Sequence, residues 1–116
     1  MLHGLPGIYT PKDGDPVPVV AIPGRDAQDA TPNRAIRVGK IVEDWLIPTA
    51  STINGVLVTA PVPQVGDKLT VFYRDRQTVW ELRTEGQQRS WEWSDRHKRL
   101  RRLHMADISE EVTERA

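Results

Sequence analysis

The chain has no cysteine, which excludes a disulfide framework and any thiolate metal site. Lys+Arg and Asp+Glu both number 16, so no net charge is left to draw the whole chain to a polyanion. No apolar run approaches the roughly 20 residues that span a bilayer, so no membrane contact is expected. The start, Met1-Leu2-His3-Gly4-Leu5-Pro6, lacks the basic and apolar regions of a secretory signal, and a soluble, non-exported protein is the expectation. Helix is nearly excluded as well. Six of the nine prolines (Pro6, Pro11, Pro16, Pro18, Pro23, Pro32) fall in the first 35 residues, and Pro61 and Pro63 follow later. Each interior proline costs a helix about 3 kcal/mol. No i, i+3, i+4 apolar stripe precedes Ala106.

What remains is strand. A chain of 116 residues is one domain with one modest core, here expected to be all-β, a small antiparallel barrel or sandwich over residues 1–116. Its centre is the stretch from Gln64 to His104. Gly66 and Asp67 form a turn, Gly66 tolerating a positive φ. Beyond it Leu69, Val71 and Tyr73 alternate with Lys68, Thr70 and Phe72. Arg74-Asp75-Arg76-Gln77 is a polar break before the alternation resumes at Thr78–Arg83, which reads as a hairpin. Trp91-Glu92-Trp93 puts two indoles on one side of a strand, and Leu100–Met105 supplies a last short strand.

Toward the N-terminus, residues 1–15 read as an extended arm with an apolar patch at Ile8 and Tyr9 and a turn in which Gly14 is left-handed. Pro16–Pro23 is β-rich, its prolines confining it to an edge or to a place where its amides need no partner. Arg25–Asn33 reads as an exposed loop, and Ile36, Val38, Ile41, Trp45 and Ile47 as core contributors. Asn54-Gly55 is a strong hairpin-turn signal. It makes residues 49–63 a projecting loop or ribbon, with the stretch Val56 to Val62 either a core strand or an apolar surface wanting a partner. Residues 106–116 form a short acidic tail containing Glu110 and Glu111.

Candidate chemistry is thin. Arg96-His97-Lys98-Arg99-Leu100-Arg101-Arg102 is a basic cluster, and its commonest role is a solvated turn plus the outer face of a strand. A protein partner or nucleic acid are the other readings. Alternation puts Arg99, Arg101 and Leu103 on one face and Leu100, Arg102 and His104 on the other, so the charge cannot all share a side. His3, His97 and His104 have no recognised ligand spacing, so no metal is expected. Four tryptophans invite a stacking platform, but with one Phe and two Tyr most indoles are needed in the core. Asp67 and Asp95 fit turn and cap roles, and no nucleophile triad, phosphate loop or carboxylate pair stands out. No catalytic residue and no cofactor is expected.

Four segments together carry a resemblance: Ile-Tyr-Thr-Pro-Lys-Asp-Gly at 8–14, the proline-flanked run to residue 23, Pro63 to Val71 with its Gly-Asp step, and Trp-Glu-Trp-Ser-Asp leading to Arg-Leu-Arg-Arg-Leu-His. The chain resembles the small head–tail joining (tail-attachment, head–tail adaptor) proteins of tailed bacteriophages and prophages. The resemblance implies a structural protein of the virion neck, made in the host cytoplasm and assembled there as a ring. It implies a portal or head-completion adaptor above, a tail terminator or tail tube protein below, and DNA passing through the channel without sequence-specific binding. A tail terminator or stopper, or a small β-barrel nucleic-acid module, are the alternatives. Interface candidates are then Ile8, Tyr9, Ile53, Val56, Leu57, Val58, Arg96, Lys98, Arg99, Arg101, Arg102, Glu110 and Glu111. Pairing of the basic cluster with a neighbour's acidic tail is one such contact, and reversing Arg101 and Arg102 is expected to impair assembly while sparing the fold.

Overall fold

The computed structural model describes residues 4–24, 36–37, 40–84 and 90–109. Among these the strands are β1 (Leu5–Thr10), β2 (Val17–Pro23), β3 (Ile36–Arg37), β4 (Lys40–Pro48), β5 (Ala50–Ile53), β6 (Val56–Thr59), β7 (Lys68–Tyr73), β8 (Arg76–Leu82), β9 (Trp91–Trp93) and β10 (Leu100–Asp107). Neighbours run β4-β2-β1-β7-β8-β10, and β10 returns to β4, which closes a six-stranded barrel. Every pairing is antiparallel. Closure hides the strand edges that an open sheet of this size would expose.

Period-two alternation and register together build the core. Across the wall, Tyr9 pairs with Leu69 and Leu69 with Trp80, while Leu103 pairs with Trp45 and Met105 with Leu82. All seven are buried. Residues directly across a ladder share a face, so each inward residue places its neighbour inward too. Trp45 sits in the middle, its ring edge-on to Tyr73 at 5.1 Å and to Trp80 at 5.5 Å. Each large apolar side chain buried this way contributes roughly 1.5–3 kcal/mol.

The hairpin between β7 and β8 turns on two residues, Arg74 at φ 55° and Asp75 at φ 66°, tighter than the four-residue break read from the sequence. Two successive left-handed residues match the twist of the flanking strands. Gly66 has φ 100°, as expected of its turn. Gly14 does not take a left-handed φ. Its turn closes instead by the Gly14 amide donating to the Pro11 carbonyl at 3.3 Å.

Several expectations change. Leu5–Thr10 is not an arm but a wall strand, paired to β2 on one side and β7 on the other. Asp67 ties it down, because this buried carboxylate accepts the Tyr9 hydroxyl (2.5 Å) and the amides of Lys12 (2.7 Å) and Gln64 (2.9 Å). Burial, and then the Asp67 carboxylate beside it, hold the Tyr9 phenol well above its ordinary pKa. The proline-rich run is no edge strand, since β2 lies between β1 and β4. Its rungs to β4 are at Ile22 and Pro23, so at Pro18 the absent N–H breaks no ladder bond with β4. The tail is shorter than expected as well. Ala106 and Asp107 belong to β10, and the Ile108 amide donates to the Val79 carbonyl on β8. Trp45 and Ile47 are core residues, whereas Val38 and the side chains of Ile36 and Ile41 lie outside the described part.

Candidate partner-binding surfaces

Between β4 and β7 the chain leaves the barrel as a separate two-stranded sheet, β5–β6. Asn54 at φ 52° and Gly55 at φ 80° form its two-residue turn, between Ile53 and Val56 of the ladder. Leu57 is 71% exposed and Val56 61%. From residue 45 to residue 66 the chain carries no charged side chain, although 28% of all its residues are charged. The ribbon is therefore apolar and uncharged, yet open to solvent. Its base is fixed at both ends: the Thr49 amide donates to the Arg99 carbonyl, and the Ala60 amide to the Thr49 carbonyl, both at 2.9 Å.

Thr52 and Ile53 overhang the outer face of β2, β1 and β7. Between them lies a cleft of ≈ 510 Å³ whose lining includes Pro6, Ile8, Val20 and Phe72 and has no charged residue. The register explains the patch. Pro18, Ile8 and Thr70 form one row across β2, β1 and β7, and beside it Pro6 pairs with Val20 and Phe72 with Gln77. Phe72 stays 64% exposed and Ile8 43%.

On the far side of the ribbon's base lies the β9–β10 connection. Arg96, His97, Lys98 and Arg99 are all exposed. Asp95 holds the turn by accepting the amides of Arg99 (3.0 Å) and Leu100 (3.1 Å). Arg101 points the other way. Only 9% exposed, it donates through Nη1 to the carbonyls of Ala60 (3.4 Å) and Pro61 (3.0 Å). Its guanidinium also lies 5.3 Å from the ring centroids of both Trp91 and Trp93. Arg101 Nε has no hydrogen-bond partner, and desolvation pulls the group's pKa below its ordinary value.

The opposite face of β10 carries a charge cluster. Asp44 on β4 accepts from Arg102 Nη1 at 3.2 Å and faces His104 Nδ1 at 2.7 Å, while His104 Nε2 lies 3.7 Å from Glu92 on β9. Burial pushes the Asp44 carboxyl up, but His104 and Arg102 together outweigh it, and its pKa ends below the usual value. The hydrogen bond to Asp44 raises the pKa of His104, burial opposes it, and the charges of Asp44 and Glu92 add to the rise.

The expected interface residues thus divide. Val56, Leu57, Ile8, Arg96, Lys98 and Arg99 are exposed, and Ile53 and Val58 are half-buried on the ribbon. Tyr9 is 2% exposed and belongs to the core, so it offers no surface. Arg101 is buried too, and reversing its charge would damage the fold rather than spare it. Arg102 is half-buried against Asp44. Glu110 and Glu111 lie outside the described residues. Phe72 was missed, although an aromatic alternating in step with Lys68 and Thr70 marks an apolar group on a polar face. Of the indoles, Trp45 and Trp80 are core, Trp91 is half-buried and Trp93 is at the surface.

Comparison with curated proteins and with solved structures finds no match in either. A family model does match, over residues 2–112, and it describes the phage head-tail joining proteins. An all-β barrel with an uncharged apolar ribbon and a separate basic turn is the architecture this sequence builds, and the chain belongs to the phage head-tail joining protein family.

Proposed function

We propose that the chain is a structural subunit of the virion neck that forms a ring and joins head to tail through protein–protein contacts. The portal or a head-completion adaptor binds above it, and a tail terminator or tail tube protein below. The genome passes through the ring without being read in sequence. Joining of this kind is assembly, not catalysis. Family membership supports the joining role. The observation that carries the contact surfaces is the ribbon: Val56 and Leu57 lie open to water on a hairpin with no charge of its own. A folded monomer gains nothing from that exposure, whereas a partner that covers it gains roughly 25 cal/mol for each Å² of apolar surface removed from water. The exposed cations Arg96, Lys98 and Arg99 fit an acidic protein surface, and such contacts set orientation and encounter rate more than affinity.

The test is joining in vitro. Heads and tails from particles lacking this protein are mixed with the purified chain, and infectious particles are counted. Leu57→Asp should fold as the wild type does and lose joining. Full joining by a folded Leu57→Asp chain would remove the ribbon from the interface.

A further inference from the structure

Arg101 combines features that do not sit together without a reason. It is a cation 9% exposed, in a position where Leu103 and Met105, its companions on the same face of β10, are fully apolar. No carboxylate pairs with it among the described residues; the groups around its head include two carbonyls, two indoles and the Tyr9 phenol. Burying an arginine without an anion is costly, and a leucine would fill a barrel wall at less expense. What the guanidinium does that a leucine cannot is join two separate pieces of chain. Its Nη1 holds both carbonyls where the ribbon re-enters the body, at Ala60 and Pro61. Its charge lies over the rings of Trp91 and Trp93, the first and last residues of β9, the strand that runs into the basic turn. Directly beside it, the Thr49 amide at the other end of the ribbon reaches the Arg99 carbonyl at the end of that turn.

We infer that Arg101 is a positioning residue that locks the ribbon's base to the β9–β10 connection, so the apolar and basic surfaces are presented as one unit. The inference rests on the neck reading for its purpose, though the mechanical coupling does not. If a partner seats the ribbon, the orientation of Arg96, Lys98 and Arg99 is set with it. A lysine is a poor substitute here, because its compact ammonium is more strongly hydrated than a guanidinium and resists being buried among carbonyls and rings. Among the described residues no hydrogen bond joins Trp93 to the ribbon, while its ring lies under the guanidinium that holds the ribbon's base.

Amide hydrogen exchange on the full chain tests the lock, with Trp93→Ala as the decisive variant because Trp93 is a surface residue whose loss spares the core. Removing that ring should speed exchange of the Ala60 amide and the β5–β6 ladder roughly 3- to 30-fold, the range set by one partly desolvated cation–π contact. The turn at residues 94–99 should speed up with it, while the β7–β8 ladder stays at its wild-type rate. Arg101→Lys should show the same joint response, and larger. Wild-type ribbon exchange in Trp93→Ala would overturn the inference, even if Arg101→Lys proved too unstable to measure. Joining by Leu57→Asp is scored separately: its success would refute the neck role of the ribbon and leave the exchange result to decide the lock.

Discussion

Two stretches of similar composition end in opposite places. Val56-Leu57-Val58-Thr59 forms β6 and Lys68-Leu69-Thr70-Val71 opens β7. Leu69 is 0% exposed and Leu57 is 71% exposed. Both are strands, and both carry a leucine as their second residue. The difference is in the neighbours. β7 has β1 on one side and β8 on the other, so its inward face meets five other strands across a closed barrel. β6 has β5 alone. A two-stranded hairpin is marginal by itself, and this one persists because the barrel grips its base at Thr49, Ala60 and Pro61. Strand character is a property of the local sequence, whereas burial is a property of what closes around the strand.

The sharpest way to break that comparison is to truncate both leucines. Leu69→Ala should cost about 2–5 kcal/mol, since it leaves a cavity in a packed core. Leu57→Ala should fall within about 0.5 kcal/mol of wild type, as surface changes do. Urea unfolding of the two variants checks this. Equal costs would mean that the ribbon is packed and that its exposure is not its resting condition.

A second comparison sets the anchored end of β1 against the free end of the ribbon. Asp67→Ala strips the acceptor from the buried Tyr9 hydroxyl and from two backbone amides. Each group left unsatisfied costs roughly 1–3 kcal/mol. Adding Tyr9→Phe to that variant should recover part of the loss, because it removes the stranded hydroxyl. A double-mutant cycle with no coupling between the two positions would show that their hydrogen bond contributes nothing. By contrast, Gly55→Ala at the ribbon tip meets no atom within 4 Å and pays only for φ 80°. The cost should be about 1–2 kcal/mol and confined to the ribbon. Hydrogen exchange would then rise in β5–β6 and stay unchanged in β7–β8.

These cases also mark how far the sequence can be read. Alternation in Lys68–Tyr73 and Thr78–Leu82 and the turn residues Asn54-Gly55 were legible because each depends on residues a few places apart. The burial of Tyr9 was not, since its partner Asp67 lies 58 positions further on and Asp67 alone reads as an ordinary turn residue. Arg101 is the instructive miss. Alternation had already placed it on the face of Leu103, and an inward Leu103 requires an inward Arg101. Weight of positive charge in its neighbourhood argued for the surface instead. The groups that receive it, two carbonyls about 40 positions away and a pair of indoles, have no signature in sequence.

The two faces of β10 set up the smallest effect. Inside, Arg101 is held by rings and carbonyls whose character does not change with pH; outside, His104 is held by carboxylates that make its charge matter. The folded pKa of His104 is raised above 6.5, so protonated His104 adds stability that is fully present below about pH 6.5 and is lost as pH rises through the folded value. Asp44 behaves in the opposite sense. Its folded pKa is lowered below 3.8, so its contribution is present above that value and disappears as pH falls through the lower one. The stability difference between wild type and His104→Gln should therefore be greatest from about pH 4 to 6.5 and shrink on either side. Arg101→Leu should show no such profile, because leucine has no proton to lose and arginine keeps its own in that range. Unfolding curves across pH for the two variants make the test. A His104→Gln difference that grew between pH 7 and 9 would mean that the imidazole is held as a neutral group, and that Asp44 relies on Arg102 alone for its pairing.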